Sequence, residues 1–160
     1  MRCIGVFGAR NHGKTTLLRA LIESMEKGTK LEFGVLSYGV LEDENHNSFT
    51  VAIHPDGDTD EKVEEGFLAL DELTKKQNID IFIFATHCWD TTPGKAAECA
   101  NIRGYQLEWY EKNKTDSSYV PEFKNNNELY REFAETLSRA EAEAVKAQIF
   151  FFVNQKQKQN

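Results

Sequence analysis

The stretch VFGARNHGKT, residues 6–15, sets two glycines, a lysine and a hydroxyl-bearing residue at Gly8, Gly13, Lys14 and Thr15. That spacing suits the binding of a phosphate chain. Gly8 lets the backbone leave a preceding run and turn, and Gly13 permits close main-chain approach where a β-carbon would obstruct. The N–H groups of the intervening Ala9, Arg10, Asn11 and His12 can then converge on a phosphate, with the amino end of a following helix adding its positive pole. Lys14 is long enough to reach the outer phosphate oxygens. The Thr15 hydroxyl is placed to ligate Mg²⁺, and Thr16 is expected beside the innermost phosphate.

Such a loop needs a strand before it and a helix after it. Arg2 to Phe7 is an apolar run of strand length. From Thr16 to Lys27, Leu17, Leu18, Leu21, Ile22 and Met25 fall at the spacing of one buried helical face, and Gly28 offers a stop. The loop sequence therefore matches G-x-x-x-x-G-K-[ST], the P-loop or Walker A pattern, in the strand–loop–helix setting that gives the pattern its meaning.

Farther along, residues 31–41 (LEFGVLSYGVL) and 48–54 (SFTVAIH) read as strands joined by a turn-rich segment, an antiparallel pair. Glu61 to Lys76 has helical spacing. Residues 79–86 (IDIFIFAT) form a continuous apolar run expected of a strand covered on both faces. A third helix is expected over 93–113, with Pro93 in its first turn. A polar connection leads to an alanine-rich helix over 127–146, and residues 147–154 (AQIFFFVN) read as a closing buried strand. The tryptophans and Phe150 to Phe152 read as core. Strands alternating with helices predict an α/β fold, a three-layer arrangement with a mostly parallel central sheet and helices on both faces. The whole is one domain over 1–154 with a polar tail, 155–160.

Composition narrows the partners. A formal charge of −7 argues against broad attraction to nucleic acid or anionic membranes. No apolar run approaches the roughly 18 residues of a membrane span, and the amino terminus lacks the pattern of a targeting signal, so the cytoplasm is the expected compartment. Cys3, Cys88 and Cys99 suggest no disulfide framework, and with His87 they lack the spacing of a zinc site.

A phosphate loop usually works with a carboxylate at the end of a neighbouring apolar strand, which helps to hold Mg²⁺. The run 48–54 ends instead in His54, and 79–86 is followed by His87. Asp56, Asp58 and Asp90 are the nearest acids. Asp56, two residues past its strand and next to Gly57, is the candidate metal carboxylate, the alternative being an ordinary turn aspartate. His54 is the candidate for orienting a water, the alternative being a strand-end histidine bonded to the backbone.

The order P-loop, helix, antiparallel pair, helix and further buried strands resembles the small and translational GTPases. In that family the third strand ends in D-x-x-G, and His54, Pro55, Asp56 and Gly57 stand at that place. The family's guanine-reading N-K-x-D corresponds to Asn154, Gln155, Lys156 and Gln157, of which Asn154 matches. The resemblance implies a switch that binds GTP with Mg²⁺. The loop also resembles that of the small molybdopterin-guanine dinucleotide biosynthesis adaptor and of partition-type ATPases, which implies ATP and a homodimer. Arg103, Lys112, Lys114 and Lys124 around the polar connection leave open a kinase with a closing lid, set against simple solvated charges. A nucleotide-binding subunit without turnover is a further alternative.

From these observations a nucleoside triphosphate, ATP or GTP, is expected with Mg²⁺ on residues 8–16, and slow hydrolysis assisted by a protein partner or by dimerisation. Lys14, Asp56 and His54 carry the expected chemistry, and Thr15 and Asp56 the metal. Arg10 is expected to neutralise phosphate from its own chain or across a dimer.

Overall fold

The computed structural model describes residues 1–9, 12–42, 46–87, 91–112, 132, 136–137, 139–147 and 149. Its element order is β1 (Arg2–Gly8), α1 (Lys14–Glu23), β2 (Leu31–Phe33), β3 (Leu36–Glu42), β4 (Ser48–His54), α2 (Asp60–Thr74), β5 (Ile81–His87), α3 (Thr92–Ile102) and β6 (Gln106–Glu111). Residues 139–147 form a further helical stretch. No helix among the described residues is long and apolar enough to cross a membrane.

The six strands form one sheet in the order β2-β3-β4-β5-β1-β6. β4 with β5, β5 with β1, and β1 with β6 are parallel, whereas β2 with β3 and β3 with β4 are antiparallel. The fold is thus α/β with a mixed sheet, parallel at the β1 end and antiparallel at the other. Helices cover both faces. Leu17, Leu18, Leu21 and Ile22 of α1 pack with Ala142, Val145 and Ile149 over Val6, Ile53, Ile83 and Ala85. On the opposite face Val63, Phe67 and Leu70 of α2 and Ala96, Cys99 and Ala100 of α3 cover Cys3, Ala52, Phe82 and Phe84. Because successive strand residues point to opposite faces, the continuous run of β5 feeds both layers at once.

Four local outcomes correct the expectations from sequence. The run 31–41 is two strands, β2 and β3, folded back on each other at the turn Gly34–Val35. The helix expected over 93–113 ends at Ile102. Gly104, with φ +66°, reverses the chain there, and 106–111 returns as β6 beside β1. Trp109 on this outer strand is 41% exposed rather than core, its ring lying over Gly5 and edge-on to Phe7 and Phe84. Residues 147 and 149, expected in a closing strand, are helical, and Ile149 is buried against the α1 layer. The rest of 147–154, including Phe150 to Phe152, lies outside the described residues, as does the connection 114–127.

α2 and α3 are tied by more than apolar contact. The Arg103 guanidinium donates from Nε and Nη2 to the carboxylate of Asp71, at 2.6–3.0 Å, and from Nη1 to the Cys99 carbonyl at 2.9 Å. The Arg103 charge also sits over the Phe67 ring at 5.3 Å. Its pKa is raised, chiefly by the hydrogen bonds to Asp71. Arg103 therefore fastens two helices rather than serving a lid.

Candidate functional site

The four parallel strands β4, β5, β1 and β6 end at the same edge of the sheet, and the glycine-rich loop leaves β1 there. β1 is followed by α1 on one face, and its neighbour β5 is followed by α3 on the other. Adjacent strands whose chains depart to opposite faces open a crevice between them, the usual position of a ligand in an open α/β sheet. In the β1–β5 register the residues at this point are Gly8 and His87.

The loop closes over its own lysine. Gly13 caps α1 with φ +85°, a conformation that disfavours side chains, and Leu17 N–H bonds the Gly13 carbonyl at 2.9 Å to start the helix. Lys14, only 6% exposed, directs its ammonium to the carbonyls of Gly8 at 2.8 Å and Ala9 at 3.0 Å. His12 N–H donates to the Ala9 carbonyl at 3.3 Å. The first turn of α1 has neither an acidic residue nor a side-chain cap, so its positive pole faces the loop uncompensated. α2 is the opposite case: Thr59 caps it and Asp60 and Glu61 occupy its first turn, holding the Glu61 carboxyl below its ordinary range through backbone and Thr59 hydrogen bonds.

The end of β4 meets this loop although β5 separates the two strands. Thr15 Oγ1 donates to the Pro55 carbonyl at 3.3 Å, which brings Asp56 to within one residue of that contact. Asp56 is half-buried and pairs with the Lys62 ammonium, a contact that raises the Lys62 pKa. Asp58 reaches back to His87 Nε2 at 3.0 Å. Gly57 is pressed so closely on β5 that a β-carbon there would lie 1.7 Å from the Ala85 carbonyl oxygen. Three strand ends are thereby locked around one edge. Thr15 comes from the first turn of α1 and Pro55 and Asp56 from the segment after β4, and a hydroxyl with one carboxylate is the kind of pair Mg²⁺ ordinarily takes from a protein when phosphates complete its shell. Among the described residues no group of three or more His, Cys, Asp or Glu forms a metal cage.

His54 does not have the position expected of a water-orienting base. It is 3% exposed, with Nδ1 3.3 Å from the Val35 carbonyl, Nε2 3.0 Å from the Lys62 carbonyl, and its ring against Gly66. Both nitrogens face main-chain acceptors, so its part is to fasten β4 to α2 and to the β2–β3 turn. Thr16 is exposed on α1. Arg10, Asn11, Cys88, Asp90 and Asn154 lie outside the described residues.

Two residues belong beside the loop that sequence spacing leaves unmarked for it, Lys112 and Glu141. Lys112, expected at the end of a helix as a lid charge or a solvated one, is 4% exposed just past β6, where its N–H donates to the Phe7 carbonyl at 2.8 Å and its ammonium meets Glu141 at 2.9 Å. The Tyr110 hydroxyl donates to the same carboxylate at 2.8 Å, and burial with this contact pushes the phenol pKa up. The signal was obscured because Lys112 and Glu141 are 29 residues apart and meet only when β6 pairs with β1. No protein-family model, curated protein or solved structure compared with this chain matches it.

Proposed function

We propose that this chain is a P-loop protein that binds a nucleoside triphosphate with Mg²⁺ at residues 8–16 and hydrolyses it slowly, as a nucleotide-dependent switch. The observation that carries the reading is the loop itself: Lys14 drawn inward against the Gly8 and Ala9 carbonyls, at a helix amino end with no acid in its first turn, where the chains after β1 and β5 depart to opposite faces.

In this reading the main-chain amides of the loop and the Lys14 ammonium hold the phosphate chain and offset the charge that develops on the transferred phosphoryl group. Lys14 exchanges carbonyl contacts for charged phosphate oxygens, which are stronger acceptors. Thr15 and Asp56 would hold Mg²⁺, whose chemistry is to neutralise phosphate oxygens. For Asp56 to do so it must part from Lys62, so the segment 55–59 senses whether a metal–phosphate group is present. His54 keeps the start of that segment fixed on α2.

The direct test incubates the protein with labelled ATP and GTP in Mg²⁺ and separates bound nucleotide, free phosphate and phosphorylated products. The switch reading requires tight binding and slow release of free phosphate. Lys14→Ala is expected to weaken triphosphate binding by at least about a hundredfold, the loss of a charge-assisted contact together with its organised loop. Unchanged affinity in Lys14→Ala removes the assignment, and label on a second small molecule would make the protein a kinase.

A further inference from the structure

The loop's surroundings include a second cation that the reading above does not use. Lys112 lies against the loop at three points. Its carbonyl oxygen is 3.2 Å from His12 Nδ1, the same oxygen stands 2.5 Å from where a β-carbon on Gly8 would be, and its Cε is 3.8 Å from the corresponding point on Gly13. The two glycines of the motif thus have one neighbour in common. An ammonium this deeply buried needs a counter-charge, because desolvation would otherwise outweigh any gain from packing. Glu141 supplies it with Oε2, while its Oε1 accepts from Tyr110. Glu141 itself belongs to the helical residues 139–147, whose Ala142 and Val145 are seated in the α1 layer.

We propose that Lys112 is a second phosphate-binding ammonium of the loop, held in reserve by Glu141 and transferred to the terminal phosphate when a nucleoside triphosphate binds. The inference rests on the phosphate-loop reading. A triphosphate brings three to four negative charges to a site where Lys14 is the described cation of the loop, and a terminal phosphate offers three strong acceptor oxygens in competition with the Glu141 carboxylate that Lys112 meets. The Lys112 Cε already lies beside Gly13, so the exchange requires its ammonium to turn from Glu141 toward the loop. Glu141 retains the Tyr110 hydroxyl after the exchange and is not left bare. A diphosphate lacks the group that completes the transfer. Lys112 consequently distinguishes triphosphate from diphosphate and reports the difference to the C-terminal helical residues through Glu141.

The test measures binding of fluorescent ATP, GTP, ADP and GDP to the full chain with Mg²⁺, for the unaltered protein and for Lys112→Met, Lys112→Arg and Glu141→Gln. Lys112→Met is expected to lose roughly tenfold or more in triphosphate affinity and much less for the diphosphate. Lys112→Arg is expected to recover most of the loss. Glu141→Gln is expected to tighten triphosphate binding severalfold, because it removes the negative charge that competes with phosphate for the ammonium. A purely structural ion pair gives the opposite pattern: Glu141→Gln leaves affinity unchanged or lowers it, and Lys112→Met weakens both nucleotides alike, and that result overturns the proposal while the loop reading stands. If Lys112→Met does not fold, the direction of the Glu141→Gln effect decides alone. If the unaltered protein binds none of the four nucleotides, the loop reading falls and this inference with it.

Discussion

Gly8 and Gly57 have no room for even a methyl group, and in each case the obstacle is main chain rather than a movable side chain. A β-carbon on Gly8 meets the Lys112 carbonyl, whose own residue is pinned by the bond from Lys112 N–H to Phe7. Gly8→Ala is therefore expected to cost about 2–3 kcal/mol in urea denaturation, and Gly57→Ala at least as much. Gly94, inside α3 with nothing within 4 Å of its would-be β-carbon, is the control. Gly94→Ala should stabilise by about 0.5–1 kcal/mol through helix propensity. Cys3 provides a pH-dependent prediction at the same scale. Burial pushes its thiol from 9.0 up to about 12. The folded protein keeps that proton while the unfolded chain releases it, so stability is intact below pH 9 and falls as pH rises from 9 toward 12. The slope corresponds to roughly one proton, and Cys3→Ala should flatten it in denaturation curves recorded across that range. A slope identical in both proteins would show that another group governs alkaline unfolding.

At the scale of elements, the Arg103–Asp71 clamp predicts what joins α3 to α2. Asp71→Ala removes both carboxylate oxygens from a partly buried guanidinium and should cost about 2 kcal/mol, measured by thermal or denaturant unfolding. Asp71→Asn should cost less, since one acceptor oxygen remains. The elements that periodicity signalled strongly are in place: β1, α1, the β3–β4 pair, α2 and β5 all fall where apolar spacing put them, within a few residues. The misreadings of β2 and β6 have a common physical origin. β2 and β6 lie on the outer edges of the sheet, where half of each strand faces water and the two-residue alternation is weak. Gln106 to Glu111 carries acids on both faces, and as a polar run after a good helix start it resembles more helix. Gly104 and Gly34 were the visible punctuation. In the candidate site, Gly8, Gly13, Lys14 and Thr15 were legible because their neighbours in sequence are their neighbours in space, and Asp56 because it follows the end of an apolar strand run. Lys112 and Glu141 were not, since their pairing depends on a sheet register that no local pattern encodes.

For the whole molecule, the mixed sheet divides into two regions of different character. The antiparallel β2-β3-β4 end is built from contacts close in sequence, whereas the parallel end depends on segments far apart. β1 is flanked by β5 and β6, whose pairings join Arg2 to Ile81 and to Gln106. Chains whose pairings span such separations fold slowly, because loop closure precedes the reward of contact. During synthesis the first strand to emerge is therefore among the last to be completed. β2, β3 and β4 can pair locally, but β1 must wait until residues 81–87 and 106–111 have left the ribosome. The glycine turn acquires its walls, His87 on one side and Lys112 on the other, in that same closing step. A nascent chain halted before residue 106 would carry every residue of the motif and still lack the β6 wall, so if the proposed function holds, affinity for a triphosphate would arise abruptly, as the signature of a finished fold.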